Sequence, residues 1–188
     1  MPSILLASPA TEPLSLAEAK TFLRVENAEE DQLITSLIAG ARMQVETQTG
    51  LALITQSWRM VLDCWPGNGR IAARPAPLKS LAAVRVFEFD GEMQVLDTQA
   101  FVPDASTSTL SFIPWTLPMP TRIAAGIELD VIVGFGDAAA DVPEPLRQAI
   151  RLLVAHAYEN RGAVGGVQAA PPSSTAARLI APYRMVHL

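Results

Sequence analysis

Apolar residues recur three and four positions apart near both ends of the chain and two apart in its middle, which predicts helices flanking a β region. Ser15 with Glu18 makes a capping-box pattern ahead of Leu16, Ala19, Phe22 and Leu23, and Asn27 with Glu30 repeats the device. The second helix carries Leu33, Ile34, Leu37, Ile38, Ala41 and Val45 on one stripe and stops near Gly50. Residues 142–164 read as one long helix. Pro143 and Pro145 sit where a first turn tolerates a missing N–H, and Glu144 puts negative charge at the positive end of the helix dipole. Asn160, Arg161 and Gly162 supply the stop. Leu146, Ile150, Leu153, Val154 and Ala157 line one face, while Arg147, Arg151 and Glu159 fall off it.

From Ile54 the period changes to two, with Trp58, Met60 and Leu62 alternating with Ser57, Arg59, Val61 and Asp63 in a half-buried strand. Residues 71–73, 82–89, 93–96, 101–102, 109–113 and 127–133 are further strand candidates. Asp90-Gly91 reads as a two-residue hairpin turn, and Pro114, Pro118 and Pro120 mark loops. The predicted fold is α+β: a small helical bundle of two N-terminal helices plus the long C-terminal helix, with an inserted antiparallel β subdomain and an extended C-terminal tail. The boundaries are 1–53 for the N-terminal arm and two helices, 54–141 for the β subdomain, 142–162 for the long helix and 163–188 for a flexible tail. Within that tail Ser173 and Ser174 are placed to cap a short helix through Ile180. Bundle packing is expected from Leu33, Leu37 and Ile38 against Leu146, Ile150, Leu153 and Val154.

Composition adds a reason to expect assembly. The 188 residues suffice for one domain carrying an inserted subdomain, and 49% are apolar against 18% charged. With a mean hydropathy of +0.25, some apolar surface is expected to lie against another subunit. A net charge of -5 excludes nucleic-acid or anionic-membrane binding driven by overall charge. The charge is also uneven. Glu12, Glu18, Glu26, Glu29, Glu30, Asp31 and Glu46 outnumber Lys20, Arg24 and Arg42 around the N-terminal helices, whereas the chain from Arg161 onward holds Arg161, Arg178 and Arg184 and no acid. That asymmetry, with Leu179, Ile180, Tyr183, Met185 and Val186 in the same segment, predicts contact with a partner or a second copy. Cys64 is the single cysteine, so no internal disulfide is expected and a reducing compartment is the natural setting. The first ten residues lack a basic region and a sustained apolar run and read as an arm. No apolar run reaches the roughly 20 residues that span a bilayer, so no membrane association is expected.

No convergent chemistry is legible. His156 and His187 have no metal-ligand spacing with Cys64 or with each other, and His156 falls on the long helix as a packing residue. Cys64 has no basic neighbour to activate it. There is no nucleophile elbow and no phosphate-binding loop, and Val133-Gly134-Phe135-Gly136 reads as a chain reversal. Glu88, Asp90 and Glu92 cluster at a hairpin without calcium-loop spacing. Trp58, Trp65 and Trp115 read as β-core packing ahead of a ligand groove. No catalytic residue, metal or cofactor is assigned.

The segments LSLAEAKTFLRVENAEEDQLITSLIAGARMQVETQTGLALITQSW and DVPEPLRQAIRLLVAHAYENR, with PLKSLAAVRVF and the Asp90-Gly91 hairpin between them and APYRM near the end, resemble the head-to-tail connector (adaptor) proteins of tailed bacteriophages and phage-like gene transfer agents. The resemblance lies in the order and spacing of these segments. It implies a structural protein, not an enzyme, located in the neck of a virion or gene-transfer-agent particle and made in the host bacterial cytoplasm. It implies a ring, typically of twelve subunits, joining the portal protein to a stopper or tail-completion protein, with DNA passing through the lumen without sequence-specific binding. On that reading the tail docks on the portal through Arg161, Arg178, Leu179, Ile180, Tyr183, Arg184 and Val186, and Glu29 and Glu30 are the lumen-facing acids. The alternatives are another neck component, such as a stopper or tail-completion protein, and more distantly a ligand-binding β module or a small hydrolase.

Overall fold

The uncharged residues after Pro2 would have no reason to stay extended alone, yet five of them form strand β1 (Ser3–Ala7) because a distant strand supplies its backbone partners. The computed structural model describes residues 2–160 and 174–184. It divides the chain into two units: Met1–Pro9 with Thr55–Phe135, and Ala10–Ile54 with Gly136–Leu188. All but the last of the ten residues expected as an arm thus belong to the β unit, whose other strands are β2 (Gln56–Leu62), β3 (Arg70–Ala72), β4 (Leu78–Phe87), β5 (Met93–Leu96), β6 (Val102–Asp104), β7 (Thr109–Ser111) and β8 (Ile127–Val133). Two antiparallel sheets result, one ordered β1-β2-β8-β4-β5 and one ordered β3-β7-β6.

Alternation decides which face of the larger sheet is dry. Ile127, Leu129, Val131 and Val133 of β8 are buried, and their registered neighbours Met60 on β2 and Leu78, Val84 and Val86 on β4 are buried with them. Trp65, Phe101 and Phe112 form a second cluster with ring centroids 5.2 to 5.7 Å apart. The Trp65 indole N–H donates to the Pro118 carbonyl at 2.8 Å, so its polar edge is satisfied. The β4–β5 hairpin differs from the two-residue turn expected. The Gly91 N–H donates to the Glu88 carbonyl at 3.1 Å and the Glu88 N–H to the Glu92 carbonyl at 2.8 Å, enclosing three residues. Gly91, at φ 90, takes the left-handed place that closes such a loop, which is why Asp-Gly is there without being the whole turn.

The other unit is helical: α1 (Leu16–Leu23), α2 (Asp31–Thr49), α3 (Glu144–Glu159) and α4 (Ser174–Ile180). The Ser15–Glu18 capping box forms in both directions, at 3.2 and 3.0 Å. Its expected repeat at Asn27 and Glu30 does not. Lys20 donates to the Asn27 carbonyl at 2.7 Å and pairs with Asp31, while the Glu30 carboxylate accepts the Tyr158 hydroxyl of α3. Helix α2 ends as expected at Gly50 in the left-handed conformation. Its buried stripe is Ile34, Ile38, Ala41, Arg42, Val45 and Thr49. Arg42 is tolerated there because its Nε reaches Glu12 at 2.8 Å and its terminal nitrogen reaches Glu46 at 2.6 Å.

On α3 the buried residues are Leu146, Ala149, Ile150, Leu153 and Val154, and this helix packs against α1, α2 and α4. Arg147, off the apolar face, holds the helix ends together. It donates to the Pro13 carbonyl at 3.0 Å, Glu18 at 2.8 Å and Glu144 at 2.9 Å. Each large apolar side chain buried on α3 contributes about 2 kcal/mol of transfer free energy. Ile150 is wholly inside. Ile150→Ala is therefore expected to lower the unfolding free energy by about 3 kcal/mol, measured by urea denaturation.

Candidate assembly surfaces

Strands β2, β8 and β4 place Arg59, Glu128, Asp130 and Arg85 on the face of the large sheet opposite its apolar core. Asp130 is only 7% exposed. It accepts Arg59 Nε at 2.7 Å and a terminal nitrogen of Arg59 at 3.1 Å, and Arg85 reaches it from the other side at 2.7 Å. Glu128 completes the group at 3.1 Å from Arg59 and 3.8 Å from Arg85. Burial pushes the Asp130 carboxyl up, but hydrogen bonds from the two arginines, and their charges, outweigh it and hold the group below the ordinary carboxylate value. These four charges are mutually satisfied and form a brace across three strands. Sequence reasoning did not single them out. The signal present was the pair of acids Glu128 and Asp130 inside the run IELDVIV, matched by one arginine on each neighbouring strand.

Among the described residues, those with catalytic potential do not converge. His156 is half-buried in a groove of about 530 Å³ lined by Phe22, Leu23, Leu152 and Tyr158, and its ring Nδ1 lies 3.3 Å from the Asn160 amide nitrogen. Among the described residues no Ser, Thr or Cys lines that groove; its other polar groups are Arg24, Tyr158 and Glu159. Cys64 is exposed, and the neighbouring Asp63 carboxylate accepts the Ala125 N–H at 2.7 Å. His187 lies outside the described residues. Trp65 is core, Trp58 donates to Gln56 at 3.0 Å, and Trp115 is 84% exposed, so the three tryptophans do not line one groove. Among the described residues no group of three His, Cys, Asp or Glu is placed to hold a metal, and no helix is long and apolar enough to cross a membrane.

Of the residues expected to pack the bundle, Ile38, Leu146, Ile150, Leu153 and Val154 are buried, Leu37 is half-buried, and Leu33 is 36% exposed. Ile34, one position on, takes the inward place. In the tail, Ala176 and Ile180 of α4 are buried within the helical unit, Leu179 and Tyr183 are half-buried, and Arg178 and Arg184 are exposed. Arg161 and Val186 lie outside the described residues. Glu29 is exposed; Glu30 is half-buried against Tyr158.

The β unit also exposes large apolar groups. Phe89, Met119 and Ile123 (91% exposed) stand on loops and Trp115 on a short 3-10 turn. These loops are pinned. The Phe89 N–H donates to Thr121 at 2.7 Å, the Phe87 N–H to the Gly126 carbonyl at 2.8 Å, and the Arg122 guanidinium lies 5.6 Å from the centre of the Phe87 ring. Large apolar side chains on pinned loops are organised for contact with another protein surface before it arrives.

A family model described as "Phage gp6-like head-tail connector protein" matches residues 13–88, the region carrying much of the resemblance read above. No curated protein sequence matches the chain. Among solved structures, a chain in the neck of an empty GTA particle computed with C6 symmetry is similar at 26% identity and a TM-score of 0.82, covering 100% of this chain and 97% of that one. A chain in the virion of a native gene transfer agent particle is similar at 28% identity and a TM-score of 0.81, with the same coverage. A third, in the neck of a native GTA particle computed with C12 symmetry, shows 27% identity and a TM-score of 0.75, again over 100% and 97% of the two chains.

The Asp130 brace makes a testable contribution to stability. Asp130→Asn is expected to cost about 2 kcal/mol near neutral pH, because it removes the negative charge between two arginines and one of the acceptor oxygens they share. The folded-state pKa of Asp130 is depressed, so its stabilisation is present above the unfolded value and disappears as pH falls through the folded one. Urea titrations at falling pH should show the gap between wild type and variant closing in acid.

Proposed function

We infer that the chain is a structural protein of the head-to-tail connector kind, a component of the neck of a tailed-phage virion or gene transfer agent particle. The observation that carries this reading is similarity along the whole chain to neck components at 26 to 27% identity, joined to the family match over residues 13–88. A surface of exposed large apolar groups on loops held by hydrogen bonds supports the same reading, because an adaptor needs contact area.

In the finer form of the proposal, copies of the chain form a ring, with twelve as the expected number, between the portal protein and a stopper or tail-completion protein. DNA passes through the lumen without being read. The symmetry of the similar necks supports a ring. Portal docking falls to the C-terminal segment. Because α4 is anchored through Ala176 and Ile180, the basic groups the segment offers outward are Arg178 on that helix and Arg184 beyond it. The lumen-facing role suits Glu29, which is exposed, better than Glu30, whose carboxylate is engaged with Tyr158.

The test is to image purified full-length protein mixed with portal and to measure their affinity. A ring seated on the portal is expected. Deleting the tail would also strip buried residues from the helical unit, so charge reversal is the cleaner variant. Arg178→Glu with Arg184→Glu should leave the melting temperature unchanged and weaken portal binding by about tenfold or more. Binding only to a tail component, with none to portal, would overturn the adaptor assignment in favour of a stopper.

A further inference from the structure

We propose that, in the ring inferred above, strand β1 of one copy pairs with strand β5 of the next, so that the five-stranded sheets of successive copies join edge to edge. The inference rests on the ring reading and names the surface that closes it.

Both strands are edges of the same sheet, and among the described residues no strand pairs with the outer side of either. An open edge presents a row of unpaired N–H and C=O groups, and proteins ordinarily guard it with lysine, proline or another charge. Neither edge has that guard. β1 is SILLA and β5 is MQVL, without a charged residue or a proline in either. Their side chains add to the exposure: Ile4, Leu5, Leu6, Met93 and Val95 are all exposed large apolar residues. A bulge between Leu5 and Ala7 shortens the regular part of β1 to its first residues, which is where pairing is assigned.

The backbone shows which groups face outward. The Val61 N–H donates to the Pro2 carbonyl at 3.1 Å, so with the register Ile4↔Arg59 the inward-bonding residues of β1 are Pro2 and Ile4. Ser3 and Leu5 therefore turn their N–H and C=O outward. On β5 the Glu88 N–H donates to the Glu92 carbonyl at 2.8 Å, and the register Val86↔Gln94 and Val84↔Leu96 leaves Met93 and Val95 facing outward. Two outward-facing residues on one edge meet two on the other.

A second copy fits better than any other occupant for a geometric reason. A ring requires two different patches that complement each other, whereas a patch that complements itself closes a two-fold dimer. Opposite edges of one sheet are such a heterologous pair. Every neighbouring pair in the order β1-β2-β8-β4-β5 is antiparallel, so β1 and β5, four steps apart, run the same way. A twelvefold axis turns successive copies by only about 30°, so the joined edges form a parallel pair. Strand addition of this kind draws affinity from main-chain hydrogen bonds and tolerates varied side chains.

Cross-linking tests the pairing. In a Cys64→Ser background, full-length protein assembled on portal is treated with a short bismaleimide. The Leu5→Cys, Val95→Cys double variant should give a ladder extending beyond the dimer on denaturing gels. A mixture of the two single variants should stop at dimers, and each single variant alone should stay monomeric. Leu5→Pro and Val95→Pro, which remove only outward N–H groups, should keep the wild-type melt and lose the ring. Rings that form on portal without a Leu5–Val95 cross-link overturn the pairing and leave the ring reading intact. Strong dimers from Leu5→Cys alone would mean a two-fold contact and also overturn it. Absence of any wild-type ring on portal would remove the ring reading, and this inference with it.

Discussion

A nearly buried carboxylate in the middle of a sheet constrains everything registered around it. Asp130 lies on β8, between Arg59 of β2 and Arg85 of β4, and is satisfied only if all three strands keep their alignment. A one-residue slip of β8 would carry Asp130 to the apolar face and expose Leu129 or Val131 on the other. The cost of an unpaired buried charge therefore specifies the register more sharply than the apolar face alone could. With the central strands aligned, β1 and β5 are left as the two edges.

The helical unit solves a similar problem with one arginine. Arg147 gathers the Pro13 carbonyl, Glu18 and Glu144, joining the entry to α1 with the first turn of α3. The Glu18 carboxyl is held below its ordinary value chiefly by the Ser15 backbone N–H, with help from the Ser15 hydroxyl and the charges of Arg147 and Arg151 and against the effect of burial. In both units, charges that could have formed a polar site are engaged in structural pairs. Beside the exposed charges, among them Arg178 and Arg184, the apolar residues on loops and edges are surface the protein can offer a partner. That division suits a component whose work is contact.

The structure also changes the meaning of the C-terminal segment. A basic, acid-free stretch reads as a docking tail, yet Ala176 and Ile180 seat α4 inside the helical unit. The segment is at once part of the body and a presenter of Arg178 and Arg184. A local anchor of this kind restricts the freedom of the charged groups before any partner is met, which lowers the ordering cost of docking.

Where a signal was local, the chain carried it openly. The Ser15–Glu18 box, the Gly50 stop, the apolar face of α3 and the alternation of β2 and β8 arise from residues within a few positions of each other, so hydrogen bonding and periodicity disclose them. The order of those segments was enough to suggest the connector resemblance. What only the tertiary structure decided was which distant groups satisfy one another. β1 is a strand because residues 57–60 pair with it, the second capping box is absent because α2 starts at Asp31 and the Glu30 carboxylate is engaged with Tyr158, and Leu33 turns outward while Ile34 is buried. Backbone donors, charges and apolar faces compete for partners across the whole chain, and that competition has no period to read.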